Sequence, residues 1–270
     1  MSDHHTLRRL NRARRGLVRL RTRVAGLHAS RVHESGGLTI SATLSESERD
    51  VVERARTYTM TSTERIVAVA DAVEYVIRRR VPGAFVECGV WRGGSVLAMI
   101  LTLQRMGASD RDVYLFDTFE GMTAPTDFDT SAYEEPAVTT WRRAVAERQR
   151  GWEWAFGEQV YGLDQVRHLL QSTGYPPDRV HYIVGPVEET LPAGAPDEVA
   201  LLRLDTDWYE STRHELVHLY PRLAPGGALI IDDYGHWQGA RRAVDEYFSE
   251  SASPLLFSRI DYTGRMGVKW

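Results

Sequence analysis

Two acidic pairs stand out in the last third of the chain: Asp205 and Asp207 in Leu-Arg-Leu-Asp-Thr-Asp, and Asp232 and Asp233 after Ala-Leu-Ile-Ile. Each pair closes a short apolar run that reads as a buried strand. Neighbouring parallel strands would bring all four carboxylates to one rim of a sheet. That much negative charge in one place is costly unless a cation neutralises it. The donors are all hard oxygens, with no cysteine and no His-Glu-x-x-His, which suits Mg²⁺ with retained waters better than Zn²⁺. The competing account has one acid of each pair capping a helix and the others solvated. His236 follows the second pair and brings an imidazole, whose ordinary pKa suits a base near neutrality.

A second chemical stretch is Ala-Phe-Val-Glu-Cys-Gly-Val-Trp-Arg-Gly-Gly-Ser, residues 84–95. An apolar run breaks into glycines and an apolar helix follows at once, so this is a strand, a tight turn and a helix N-terminus. Such a corner presents bare backbone N–H groups to a ligand. Gly89, Gly93 and Gly94 match neither G-x-G-x-x-G nor G-x-x-x-x-G-K-[ST], so nothing cradles a pyrophosphate. Glu87 before the first glycine suits a cofactor with a cationic amino group or sulfonium. E-x-G-x-x-x-G-G resembles the first motif of S-adenosylmethionine-dependent methyltransferases; a structural turn in another Rossmann-like enzyme is the alternative.

These residues need a sheet to hold them. Strands are expected at residues 84–88, 113–116, 180–184, 199–204 and 228–231, with helices near 46–56, 66–80, 96–106, 163–170, 210–223 and 239–248. Ser62 or Thr63 caps the second helix. Two short pieces, 255–260 and 265–269, suggest a closing antiparallel hairpin around Thr263-Gly264. The expected fold is α/β, a Rossmann-like doubly wound sheet. Asp117 at the tip of the second strand stands where a ribose is held by its hydroxyls, or else it caps the following turn. In a nucleoside-binding sheet the loop after the third strand would set Val187 against an adenine and Glu188 near its exocyclic amine; a polar βα loop with a helix start is the alternative. An insertion at about 127–156 reads as a lid or acceptor-binding element. Its Trp141, Trp152, Trp154 and Phe156 either stack on a ring or sugar or pack the insertion onto the sheet.

The chain divides into a basic arm and linker, residues 1–45, and a catalytic domain, residues 46–270. The 270 residues suffice for one well-cored domain. A net charge of −4 argues against nucleic acid as the main partner. The single cysteine, Cys88, excludes an intrachain disulfide framework, and with no secretory signal and no membrane-length apolar run the protein reads as cytoplasmic, with no membrane partner. The arm carries Arg8, Arg9, Arg12, Arg14, Arg15, Arg19, Arg21 and Arg23 with a narrow leucine stripe and no aromatics. That favours a solvated helix against a neighbouring subunit, or a loose tail, over a nucleic-acid arm or membrane-surface helix.

Four ordered motifs together carry a family resemblance: residues 87–94, Asp117-Thr118-Phe119-Glu120-Gly121-Met122, residues 202–212, and Pro225-Gly226-Gly227 through Tyr234. They resemble the macrocin O-methyltransferase family, sugar O-methyltransferases of natural-product biosynthesis. The resemblance covers residues from about 58 to 248. It implies S-adenosyl-L-methionine, Mg²⁺, a small-molecule sugar-bearing acceptor and a homo-oligomer. It puts the metal on Asp205, Asp232 and Asp233. It puts the cofactor on Glu87, Gly89, Trp91, Arg92, Gly93 and Ser95, on Asp117, on Val187 and Glu188, and beside Asp205, with Thr59 and Met60 closing over it.

Asp205, Asp207 and His236 are the candidates to take the acceptor proton, with Asp205 ranked first on resemblance. Three rivals stand beside this reading: a catechol-type phenol methyltransferase, a nucleic-acid binder using the arginine arm, and a nicotinamide oxidoreductase. The missing G-x-G-x-x-G opposes the last.

Overall fold

In the computed structural model, the residues described are 43–149, 151–152, 162–250 and 255–270. The arginine-rich arm, Trp154 and Phe156 lie outside them.

Seven strands form one sheet in the order β3-β2-β1-β4-β5-β7-β6. The central strand β1 (Ala84–Cys88) is buried at every position. It pairs in parallel with β2 (Val113–Asp117) and β4 (Val199–Leu204). The edge strand β3 (Val180–Val184) pairs with β2, and β5 (Leu223–Ile231) pairs with β4, both in parallel. β7 (Arg265–Val268) runs antiparallel to β5 and carries the two-residue β6 (Ser258–Arg259) on its outer side. This is a doubly wound α/β sheet with an antiparallel edge, and the expected hairpin is present but shorter on its first arm.

Helices cover both faces. α1 (Glu46–Ala55) starts in a capping box, with the Glu48 N–H donating to Ser45 Oγ and Ser45 N–H to Glu48 Oε2. α2 (Thr63–Arg78) starts at Ser62, whose hydroxyl accepts the Arg65 N–H at 3.2 Å. It buries Ile66, Val69, Val73 and Val76. α3 (Gly94–Arg105) follows the glycine turn and is the most apolar of the set. α4 (Ala137–Ala146) lies inside the insertion, so part of that segment is regular helix. α5 (Leu163–Gln171), the single turn α6 (Val187–Thr190), α7 (Tyr209–Leu219) and α8 (Gln238–Glu250) complete it. No helix among the described residues is long and apolar enough to cross a membrane.

Two local expectations are corrected. The helix expected to reach Leu223 stops at Leu219 and tightens into a 3₁₀ turn at Tyr220–Arg222. Pro221 has no N–H to continue the ladder. Pro225-Gly226-Gly227 is not a turn before β5 but a bulge within it. The pairing with β4 jumps from Val199–Leu223 to Leu201–Ala228, so the extra residues loop out.

One core cluster lies against β1, β4 and β5 through Val86, Cys88, Leu202, Leu204, Leu229 and Ile231. A second, smaller cluster joins Trp152, Trp208 and Trp237 with Ala137 and Ala240, at the rim where the acidic strands end.

Candidate active site

The glycine turn is built by contacts that no side chain would permit. At Gly89 (φ +81°) an added Cβ would sit 1.9 Å from the Asp205 carbonyl oxygen, so the tips of β1 and β4 touch there. Gly93 (φ +85°) caps α3 without any side-chain hydrogen bond, which leaves the first-turn N–H groups of that helix to a ligand. Trp91 also takes a left-handed φ of +48°, and the Arg92 guanidinium lies 4.4 Å from its ring centre. Ser95 is buried in the first turn. The Tyr58–Thr59 backbone lies over Gly94, where a Cβ would meet Tyr58 O at 2.6 Å. The segment carrying Thr59 and the exposed Met60 is therefore brought to the cofactor turn.

Asp117 shapes the turn. The Val90 and Trp91 N–H groups donate to its Oδ2 at 2.6 and 3.0 Å, and Phe119 N–H to its Oδ1 at 2.6 Å. Burial pushes its pKa up against these three donors. The capping account of Asp117 is what the geometry displays. Val187 is buried at the start of α6, while the Glu188 carboxylate turns to α7 and accepts from Ser211 Oγ at 2.7 Å. Glu87 Oε2 and Trp91 Nε1 are buried without a hydrogen-bond partner. An open helix start, a close backbone approach and an orphan carboxylate oxygen fit a cofactor with a cationic amino group.

Beyond the turn lies a network of acids and two arginines. Arg203, fully buried on β4, donates to Glu87 Oε1 at 2.6 Å, contacts Asp205 Oδ2 at 2.7 Å and also holds Asp232 Oδ1. Arg65, from the first turn of α2, holds Asp232 Oδ2 and contacts Asp261 Oδ2 at 3.0 Å. Burial raises Asp232, but the two guanidinium groups outweigh it and its pKa falls below the usual range. The other acids go the opposite way. Burial pushes Glu87 up to about 8 despite Arg203. Burial, then the neighbouring Asp205, pushes Asp207 up to about 8. Asp205 is pushed up to about 6, again chiefly by burial. Its side chain keeps 29% exposure, so it lies on a cleft floor rather than in a sealed core. Asp233 is pushed well up by burial and then by Asp207 and Asp205. No ion pair to Asp233 is present among the described residues.

Asp205, Asp232 and Asp233 each offer an oxygen, and these oxygens lie within 4.8 Å of one another. Six carboxylates, Glu87, Asp205, Asp207, Asp232, Asp233 and Asp261, gather around two guanidinium groups. A hard-oxygen set with surplus negative charge fits a divalent cation such as Mg²⁺. Asp207 stands beside the set in a left-handed conformation (φ +66°). Its N–H donates to Asp233 Oδ2 at 3.1 Å, and its Oδ1 accepts the Trp237 indole N–H at 2.7 Å.

The insertion is fastened to this rim. Buried Asp129 accepts the Tyr209 N–H at 2.8 Å and so caps α7, and Ser131 forms an isolated bridge with Trp237. Trp152 is 7% exposed and packs on Trp208 and Trp237, so it serves packing. Trp141 is half-buried against the same cluster. The insertion also delivers Tyr133 and Glu134. The His236 ring stacks on Tyr133 with centres 5.3 Å apart, and its nitrogens reach Glu134 at 3.2 Å and the Tyr262 hydroxyl at 3.1 Å. The carboxylate rim thus opens onto an aromatic and imidazole face.

Several site residues carried no role in the sequence reading: Arg65, Asp129, Arg203, Glu215 and Asp261. Arg203 had a signal, a cation inside the apolar run of β4. Glu215 is fully buried on α7, accepts from Thr206 Oγ1 at 3.2 Å, and is pushed well up by burial. The others are polar residues whose partners are distant in sequence.

Residues 19–270 match the model of the macrocin O-methyltransferase family. The chain is similar to a tetracenomycin 4'-O-methyltransferase of Streptomyces olivaceus, 37% identical over 77% of this chain and 74% of that one. It is also similar to mycinamicin III 3''-O-methyltransferase of Micromonospora griseorubida, 32% identical over 87% of each. Among solved structures, the O-methyltransferase NovP is similar at 31% identity and TM-score 0.63, over 78% of this chain and 82% of that one.

Proposed function

The chain belongs to the macrocin O-methyltransferase family and is an O-methyltransferase; from that premise we propose that it uses S-adenosylmethionine to methylate a sugar hydroxyl, with Mg²⁺ on Asp205, Asp232 and Asp233. The acceptor class is a glycosylated natural product or a nucleotide-activated deoxysugar. One observation carries the reading: the three carboxylates converge on the rim where Asp205 touches Gly89 of the cofactor turn. A reacting hydroxyl at the carboxylates is then beside the cofactor, as in-line methyl transfer requires. The Streptomyces olivaceus relative is named for a rhamnosyl-bearing tetracenomycin and the Micromonospora griseorubida relative for mycinamicin III, which supports the acceptor class.

S-adenosylmethionine held at the glycine turn would supply an electrophilic methyl carbon, and Mg²⁺ held by Asp205, Asp232 and Asp233 would supply Lewis acidity that lowers the pKa of a sugar hydroxyl. The chain does the rest. The Glu87–Ser95 turn holds the cofactor, with Glu87 Oε2 free to accept from its amino group. Asp205, partly exposed on the rim beside the cofactor turn, is placed to take the acceptor proton, and the family resemblance ranks it first. Asp207, tied to Trp237 and Asp233, and His236, tied to Glu134 and Tyr262, rank after it. The tryptophan cluster seals the insertion over the rim and keeps water from the methyl group.

The test is calorimetric titration with S-adenosylhomocysteine, with and without Mg²⁺, followed by methyl transfer to a panel of glycosylated natural products and catechols. Sugar-directed, EDTA-sensitive transfer is the expected result. Transfer to catechols alone would replace the acceptor class, and EDTA-insensitive transfer would remove the metal.

A further inference from the structure

Both oxygens of Asp232 are already held by guanidinium groups, Oδ1 by Arg203 and Oδ2 by Arg65. The two arginines are not equivalent. Arg203 is sealed in the sheet and shared with Glu87 and Asp205, so it has nowhere else to go. Arg65 comes from the first turn of α2, keeps 11% exposure, and has a second anchor in Asp261. Asp261 is independently held by Ser62 Oγ at 2.7 Å and by the Thr263 and Gly264 N–H groups at 2.9 and 2.7 Å. Gly264 leaves the room that the Arg65 stem fills, since a Cβ there would meet Arg65 Cδ at 3.0 Å. Arg65 therefore keeps an ion-pair partner in Asp261 when it loosens from Asp232.

We propose that Arg65 is a positioning residue that sets the affinity of the carboxylate site for its divalent cation, because it occupies Asp232 as a competing positive charge. The inference rests on the Mg²⁺ reading above. A guanidinium in contact with a ligand carboxylate repels an incoming dication and engages the lone pairs that the ion needs. The strand-bound Arg203 keeps the site from carrying its full negative charge, and Arg65 holds the remaining affinity down.

The test is calorimetric titration of the full chain with MnCl₂, for wild type, Arg65→Met, Arg65→Gln and Arg65→Lys, with S-adenosylhomocysteine affinity as the folding control. The two neutral variants are expected to bind Mn²⁺ about tenfold more tightly and the lysine variant to stay near wild type. A merely structural role predicts the opposite sign for the neutral variants. Should Arg65→Met lose S-adenosylhomocysteine binding, Arg65→Gln, which keeps an amide donor for Asp261, carries the comparison. Equal or weaker Mn²⁺ binding in the neutral variants overturns the proposal and leaves the metal reading standing. No Mn²⁺ binding by any of the four proteins removes the metal reading, and the proposal falls with it.

Discussion

Arg203 reaches Glu87 at 2.6 Å between the tips of β4 and β1, and neither side chain is more than 1% exposed. One guanidinium there serves three acids from three strands, since Asp205 and Asp232 share it. This buried cation lets the acidic rim fold at all, because unpaired buried carboxylates would otherwise face one another.

Arg203→Met should therefore destabilise the protein by about 3–5 kcal/mol, the usual cost of breaking a buried pair from one side. Urea denaturation at pH 7 measures it. Part of the loss should return at pH 5, where the stranded acids can stay protonated. A midpoint equal to wild type would mean that the network carries no net stability.

Metal-free protein should lose stability as pH rises. Glu87, Asp207 and Asp205 have folded pKa values of about 8, 8 and 6, above their values of 4.5, 3.8 and 3.8 without the fold, and Asp233 moves the same way. A raised acid contributes stability that is complete below its unfolded pKa and is lost as pH climbs through the folded one. Asp232 is lowered, so its contribution is lost only in acid. The window from about pH 4 to 8 should thus show a falling Tm in EDTA, by about 5 °C or more, and added Mg²⁺ should flatten the slope. Melting curves at pH 5, 6.5 and 8 decide it, and a Tm that rises with pH in EDTA would contradict the picture.

Gly94→Ala should weaken S-adenosylhomocysteine binding. The new methyl group would lie 2.6 Å from Tyr58 O and 2.7 Å from Thr59 Cβ, so the closing segment must shift. An overpacking cost of ~1–3 kcal/mol borne by that segment corresponds to about tenfold or more in Kd. Gly107→Ala is the control, since its Cβ meets nothing within 4 Å and any effect of its φ of +67° falls on stability alone. Equal affinity in both variants would separate the segment from the cofactor.

Tyr133→Ala probes the acceptor side. Tyr133 is 62% exposed and stacks on His236. Its removal should leave Tm and cofactor affinity unchanged and raise acceptor KM about tenfold through lost stacking. A changed Tm with an unchanged KM would make the stack structural.

Much of this molecule is legible along the chain because its signals are local. The glycine turn announces itself because only glycine tolerates φ near +80° at Gly89 and Gly93 with the chain so close. The acids at the ends of β4 and β5 follow from apolar runs of strand length, since adjacent parallel strands end on one rim. The order of those motifs was enough to point to the family.

The tertiary structure decided what neutralises what. Arg65 comes from the start of the domain and Asp232 and Asp261 from near its end, and no spacing rule links them. Asp117 is legible as an acid at a strand tip, but only the fold brings three backbone N–H groups onto its oxygens, because their direction depends on the turn. Trp152 and Trp237 meet because the insertion folds back onto the rim. Sequence alone determined which residue types reach the carboxyl ends of the strands, because strand and turn propensities act over a few neighbours. Only the fold determined their charge states and partners, because desolvation and ion pairing depend on distances between segments far apart in the chain.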